Sequence, residues 1–515
     1  MGASLRIFAC VGVWLAFGLT AIADIPGDSD FDGDVDSADF EFFVACANGP
    51  DVPVGEPCGE ITDYDLDGDA DLRDFAALQR CFSGANQPAN PHCASHVVRI
   101  EGACLRVIGT AADTTLALRV RAGAPTILEI DVGNDASAEF SVDRALFACI
   151  VVDARGGDDV VFIDESNGAF TDTEVTTLRG GGGADTLIGG SGAETFIGGD
   201  GDDSAFLGPG ADRFIWSPGD DTDLVEGADG VDTVEVNGGS GAEDFTITAN
   251  GTRVRFDRNN PAPFFLDIGT CENLLLRANG GNDTLACTGN LAALIQITAD
   301  GGPGDDTLLG SNGADVLIGG DDQDFIDGNQ GADTALLGAG DDVFQWDPGD
   351  GSDTVEGQSG HDVVVFNGSN GSEIFDFSAN GPRLRFTRNL GSVVLDAEGI
   401  EQFDLRTLGA ADVVNVNDLA GTTLAEANID LAATFGGSVG DAQVDSITVN
   451  GTNQPDVIHV AAPAGAVEVS GLAVFVQILH SEAAFDSLVV NGLGGMDAIT
   501  SDPAVAALIM LTINQ

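Results

Sequence analysis

From Gly180 the chain reads GGGGADTLI, GGSGAETFI, GGDGDDSAF and LGPGADRFI. Glycines open each nine-residue unit, an acid holds its sixth place, and an apolar residue holds its eighth. Such a unit has room for one turn and one very short strand. It cannot bury its own single apolar side chain, so it must stack on its neighbours. Two further units, PGDDTDLVE and GADGVDTVE, follow Trp216-Ser217. The acid place holds Asp185, Glu194, Asp203, Asp212, Asp223 and Asp232. The apolar place holds Leu187, Phe196, Ala205, Phe214, Val225 and Val234.

A second array opens at Gly301 with GGPGDDTLL, and its acid place holds Asp306, Asp315, Asp324, Asp333 and Asp342. After Trp346-Asp347 it continues with Asp353 and Asp362. The chain has 84 Asp plus Glu against 19 Lys plus Arg, a formal charge of -65. A compact body of that charge repels itself unless bound cations neutralise it. Nucleic acid is excluded as a partner, because nothing supplies a basic patch to hold phosphates. Stacked carboxylates and backbone carbonyls offer a hard cation the all-oxygen shell that calcium takes. Calcium, several ions of it, is therefore the expected cofactor. These arrays resemble the RTX family, whose GGxGxDxUx repeats form a parallel β-roll that binds calcium. The resemblance covers Gly180 to Val365. It implies that the acids named above are metal ligands, with Glu194 reaching on a longer arm and Ala205 and Ala335 thinning the core.

Two acidic loops near the start match each other, DSDFDGDVDSAD and DYDLDGDADLRD. Acids fall at relative positions 1, 3, 5, 7, 9 and 12 with glycine at 6, the spacing of a twelve-residue calcium loop. The candidate ligands are Asp28, Asp30, Asp32, Asp34, Asp36 and Asp39, then Asp63, Asp65, Asp67, Asp69, Asp71 and Asp74. Position 7 ordinarily gives only its carbonyl, which makes Asp34 and Asp69 the weaker choices. Apolar residues after each loop fit a short helix. Paired loops with Asp at position 12 resemble type I dockerin modules. That implies docking to a cohesin-like receptor, with Ser37-Ala38 and Leu72-Arg73 at the contact positions. The cysteines that flank CANGPDVPVGEPC and CFSGANQPANPHC depart from that family.

The first residues, MGASLRIFACVGVWLAFGLTAIAD, carry a basic flank, an apolar stretch and a small-x-small site before Asp24. This is the grammar of a secretory signal peptide; a membrane anchor is the other reading. Export makes disulfides the expected use of the eight remaining cysteines. Proximity suggests 46–58, 81–93, 104–149 and 271–287, among about 105 possible pairings.

The two arrays belong to a longer duplication. ITANGTRVRFDRNN and FSANGPRLRFTRNL recur 130 residues apart, as do Trp216 and Trp346. Arg253, Arg255, Arg383 and Arg385 alternate with apolar residues there and read as partners of neighbouring acids, or as a groove for an acidic polymer. Val, Leu, Ile and Thr in short runs broken by Gly, Asn or Asp give strand grammar elsewhere. Fragments of the repeat recur at DARGGDDVVFID, NGTNQPDVIHV and NGLGGMDAITS.

The expected fold is mostly β: a parallel β-roll or solenoid with irregular coils, preceded by a small α-helical module with EF-hand-like loops. β-Sandwich modules between the rolls are the alternative. The expected division is a signal peptide over 1–23, the paired-loop module over 24–94, a β-rich leading segment over 95–179, the first array with its strands over 180–300, the second over 301–430, and a β-rich C-terminal segment over 431–515. No HExxH, GxSxG elbow or phosphate loop is present, so an enzyme is the lesser expectation. The expected function is a secreted or cell-surface calcium-binding structural or adhesion-type protein. It would fold on binding calcium and attach to a cohesin-like or cell-surface protein partner through its N-terminal module. An extracellular polysaccharide-acting enzyme or carbohydrate-binding protein is the alternative. No membrane insertion is expected once the signal is removed.

Overall fold

The structure, a computed structural model, describes residues 96–515. The expected signal peptide, the expected helical module with both acidic loops and their twelve aspartates, and the expected 46–58 and 81–93 cysteine pairs lie outside the described residues. Of the described residues, 96–99 and 107–111 fall in one compact unit; 100–106 and 112–515 fall in a second, which carries all of the repeats.

Each nonapeptide makes one short strand, and successive strands fall on opposite sheets. Thr186–Ile188 stacks on Ser204–Phe206 in parallel, with Leu187 against Ala205. Glu194–Asp200 stacks on Arg213–Trp216 in the facing sheet, with Phe196 against Phe214. Two nonapeptides therefore complete one coil, and Asp185 meets its equivalent Asp203 eighteen residues on. Alternate residues of a strand point to opposite faces, so the apolar place of every unit points inward. Leu187, Phe196, Ala205 and Phe214 are all fully buried between the sheets. Burial of each large side chain contributes roughly 1.5–3 kcal/mol. The thin core is thus built one side chain per strand.

The inserted Trp-x pair lengthens one coil to twenty residues. Both indoles are fully buried. Trp216 donates from Nε1 to the Asp221 carbonyl at 2.9 Å, and Trp346 donates to that of Gly351 at 3.0 Å. Trp216 stacks on Phe264 with ring centroids 3.8 Å apart; Trp346 stacks on Phe366 at 4.0 Å.

The segments between and after the arrays continue the same two sheets. They do so through three-stranded antiparallel inserts rather than separate sandwiches. In the first, Asp244–Asn250, Arg253–Asn260 and Phe264–Gly269 pair antiparallel. Its outer strands join Asp223–Glu226 on one side and Thr284–Thr288 on the other in parallel. Ile374–Asn380, Arg383–Arg388 and Val393–Glu398 form the second insert. Val457–Ala461, Val467–Ser470 and Phe475–Leu479 form the third. Among the described residues the helical pieces are short 3₁₀ turns, and none is long and apolar enough to cross a membrane.

One expected disulfide is present, Cys104–Cys149, with Cα atoms 4.4 Å apart. The expected 271–287 bridge is not: both thiols are free. Cys271 lies just before Asn273–Arg277, while Cys287 lies within Thr284–Thr288, and these strands belong to opposite sheets. Closeness in sequence here means half a coil, not contact. Three of the four repeated arginines, Arg253, Arg255 and Arg383, serve as partners of acids. Arg253 binds Asp267 at 2.5 Å and also Glu226. Arg255 binds Asp257 at 2.6 Å. Arg383 reaches Glu356, Asp396 and Glu398 at 2.6 to 2.9 Å.

Candidate metal centre

The acid of each nonapeptide sits where the turn ends and the strand begins. Consecutive units enter opposite sheets, so the acids form two sets of columns, one in the turns entering each sheet. The backbone N–H of each acid donates to the carboxylate of its equivalent one coil later, except at Asp223 and Asp353, which face Leu266 and Leu395. Asp185 donates to Asp203 Oδ1 at 2.7 Å, and Asp203 to Asp223 Oδ1 at 2.9 Å. Glu194 donates to Asp212 and Asp212 to Asp232, at 2.7 and 2.9 Å. In the second array Asp306, Asp324, Asp342 and Asp362 form one column. Asp315, Asp333 and Asp353 form another.

All thirteen of these acids expected from the sequence are at most 3% exposed. In eleven of them one carboxylate oxygen accepts the amide of the equivalent residue one coil earlier; Glu194 accepts the Gly190 amide and Asp315 the Ser311 amide of their own turns. The other has no hydrogen-bond partner in every case except Asp315 and Asp353. An unpartnered buried polar oxygen costs about 1–3 kcal/mol, more if charged. A row of them marks missing counter-charge. Burial accordingly pushes the carboxyls up: Asp185 and Asp353 to about 6, Asp203, Asp212, Asp306 and Asp362 to about 7, and Asp223, Asp324 and Asp333 to about 8. Glu194 is pushed to about 7 by the same cause.

Glycine shapes the cup around each orphan oxygen. A Cβ on Gly180 would collide with Asp185 Oδ2, and one on Gly301 with Asp306 Oδ2. The residues four and two places before the acid take positive φ at Asp185, Asp203, Asp232, Asp306, Asp324 and Asp362. Gly199 and Gly320 also lie directly against the carbonyls of Gly181 and Gly302, one coil earlier. Carboxylate and carbonyl oxygens thus converge with no nitrogen or sulfur donor between them. That set suits a hard cation such as calcium, which takes six to eight oxygens. Among the described residues no three His, Cys, Asp or Glu side chains gather as a metal-holding group. Backbone carbonyls must therefore supply most of each shell. The same absence leaves no catalytic metal or His-Asp-Glu constellation among those residues.

The columns run further than the sequence reading extended them. Asp159, Glu243, Asp283, Glu373, Asp412, Asp445 and Asp486 are all buried at equivalent places. Glu243 and Glu373 were legible as sixth residues of GGSGAEDFT and GSNGSEIFD, units with Glu in the acid place. Each is paired by an arginine of its own insert. Arg258 binds Glu243 at 2.8 Å, and Arg388 binds Glu373. The guanidinium of Arg258 also lies 5.1 Å from the Trp216 ring and 5.0 Å from that of Phe264; Arg388 lies 5.2 Å from Trp346. At these two levels a tethered cation does what a free ion would have to do elsewhere.

Fold and site together define a roll of stacked nonapeptides with oxygen-lined, anionic cups. Segments 175–205, 188–223, 300–335, 324–345 and 349–372 match the family model described as RTX calcium-binding nonapeptide repeat (4 copies). The chain thus carries RTX-type calcium-binding repeats between residues 175 and 372. The comparison with curated proteins finds no match.

Proposed function

We propose that this is an extracellular or cell-surface calcium-binding structural protein of adhesion type, whose roll folds when calcium fills the cups. The observation that carries this reading is the set of buried, unpartnered carboxylate oxygens in the array columns. Without cations these oxygens repel one another in a desolvated site. With cations bound to the folded state alone, the same oxygens stabilise it. The repeats support an extracellular setting, where calcium is near millimolar and the columns can fill. Attachment to a cohesin-like or cell-surface protein rests on the paired acidic loops before residue 95.

The test is calcium titration of the chelator-treated mature chain, followed by far-UV circular dichroism. A cooperative gain of β signal, with magnesium far less effective, is expected. A β spectrum that chelation leaves unchanged would remove the coupled-folding reading.

A further inference from the structure

We infer that Asp159, Asp283 and Asp412, all outside the segments that match the repeat family, are ligands of three further calcium cups. The inference rests on the reading of the arrays as calcium sites and extends it to turns that have lost the nonapeptide. Each of the three carboxylates is 1% exposed. Each accepts the amide of the equivalent residue one coil earlier at Oδ1: from Thr114 at 2.7 Å, Glu243 at 2.7 Å and Glu373 at 2.8 Å. Each has its own amide donated one coil onward, to Asp185, Asp306 and Asp445. In all three the Oδ2 is buried and has no partner.

The backbone around them repeats the array cup. The residues four and two places before the acid have positive φ: Arg155 at 79° and Gly157 at 100°, Asn279 at 74° and Gly281 at 116°, Leu408 at 65° and Ala410 at 94°. Leu408 and Ala410 hold a conformation that L-residues with a Cβ disfavour. The turn before Asp412 therefore has the shape of a glycine cup without the glycines.

The other acids that continue the columns do not share this set of features. Glu243 and Glu373 are neutralised by Arg258 and Arg388. Asp486 accepts amides at both oxygens, from Asp445 and Glu482. Asp445 has no positive φ at the residues four and two places before it. Only at Asp159, Asp283 and Asp412 do the orphan oxygen and the cup backbone coincide.

The experiment counts calcium bound per full chain by equilibrium dialysis and elemental analysis. It compares the unaltered protein with Asp159→Asn, Asp283→Asn, Asp412→Asn, their triple combination, and Asp324→Asn as an in-array control. Each of the three single variants should lower the count as the control does, and the triple variant should lower it further. A normal count in the three, with a lowered count in Asp324→Asn, overturns the inference and leaves the array reading standing. No calcium on the unaltered chain overturns both. Hydrogen exchange of the unaltered protein reads the same sites without substitution. Residues 408–416 should gain protection on calcium addition, and full protection of that segment in calcium-free buffer overturns the Asp412 site.

Discussion

The two duplicated blocks share a sequence pattern but not a position. The insert at 244–269 lies in the sheet that contains Thr186–Ile188; its counterpart at 374–398 lies in the opposite sheet. The equivalent strands Asp223–Glu226 and Thr354–Gly360 are thirteen strands apart in chain order, an odd step, so the duplicate arrives on the other face. A roll tolerates this because both faces ask the same of a unit: one turn, one acid, one inward apolar residue. The unit that either face accepts is therefore the half coil. The aromatic partners show what had to be adjusted. In one block the ring on the tryptophan is Phe264, from the insert. In the other it is Phe366, from the neighbouring coil, while Val236 and Val394 stand at the vacated places.

Removing the cations tests both blocks most severely. The raised carboxyls hold protons in the folded state that the unfolded chain releases above about pH 4. Stability of the calcium-free roll is therefore fullest below about 4 and is lost as pH rises through about 6 to 8. Circular dichroism in calcium-free buffer should show more β structure at pH 5 than at pH 8. With saturating calcium that trend should vanish or reverse. Equal folding at both pH values without calcium would mean that the columns are not charged traps.

The next largest effect should come from the tethered cations. Arg258→Met or Arg388→Met leaves a buried glutamate unpaired, at a cost of about 3–5 kcal/mol. Denaturant midpoints in saturating calcium read the loss, and Glu243→Gln or Glu373→Gln in the same chain should recover part of it. Arg258 touches two rings and also donates to the Ala262 carbonyl at 3.0 Å. Its loss should therefore exceed that of Arg388; the reverse order would break the comparison as drawn. Smaller again, Phe264→Leu and Phe366→Leu should each cost roughly 1–3 kcal/mol, since both rings are packed and one contact layer is removed. A cost confined to one block would show that the stacked pair matters there alone. Smallest, Ala410→Gly should stabilise the fold by about 1 kcal/mol or less, read as a higher midpoint, because glycine relieves the positive φ. A destabilised Ala410→Gly would mean that its Cβ contacts outweigh the strain.

Much of this was legible because the repeat is local. The acid, the inward apolar residue and the turn of each array unit are fixed within nine residues, and the structure puts every array acid in a buried column. Asp412 was hidden because LGAAD carries one glycine where an array unit carries three. Arg258 and Arg388 could not be assigned to Glu243 and Glu373, because the pairing exists only after the insert folds back. The 271–287 bridge failed for a related reason: a solenoid separates sequence neighbours by half a coil and brings together residues eighteen or more apart.

Each insert adds two strands to one sheet and none to the other. At a spacing of about 4.8 Å per strand, that lengthens one side of the roll by roughly 10 Å. The second insert adds its two strands to the sheet opposite the first, and the third adds two to the first insert's sheet again. Successive inserts thus load alternate sheets, so neither sheet takes two insertions in succession.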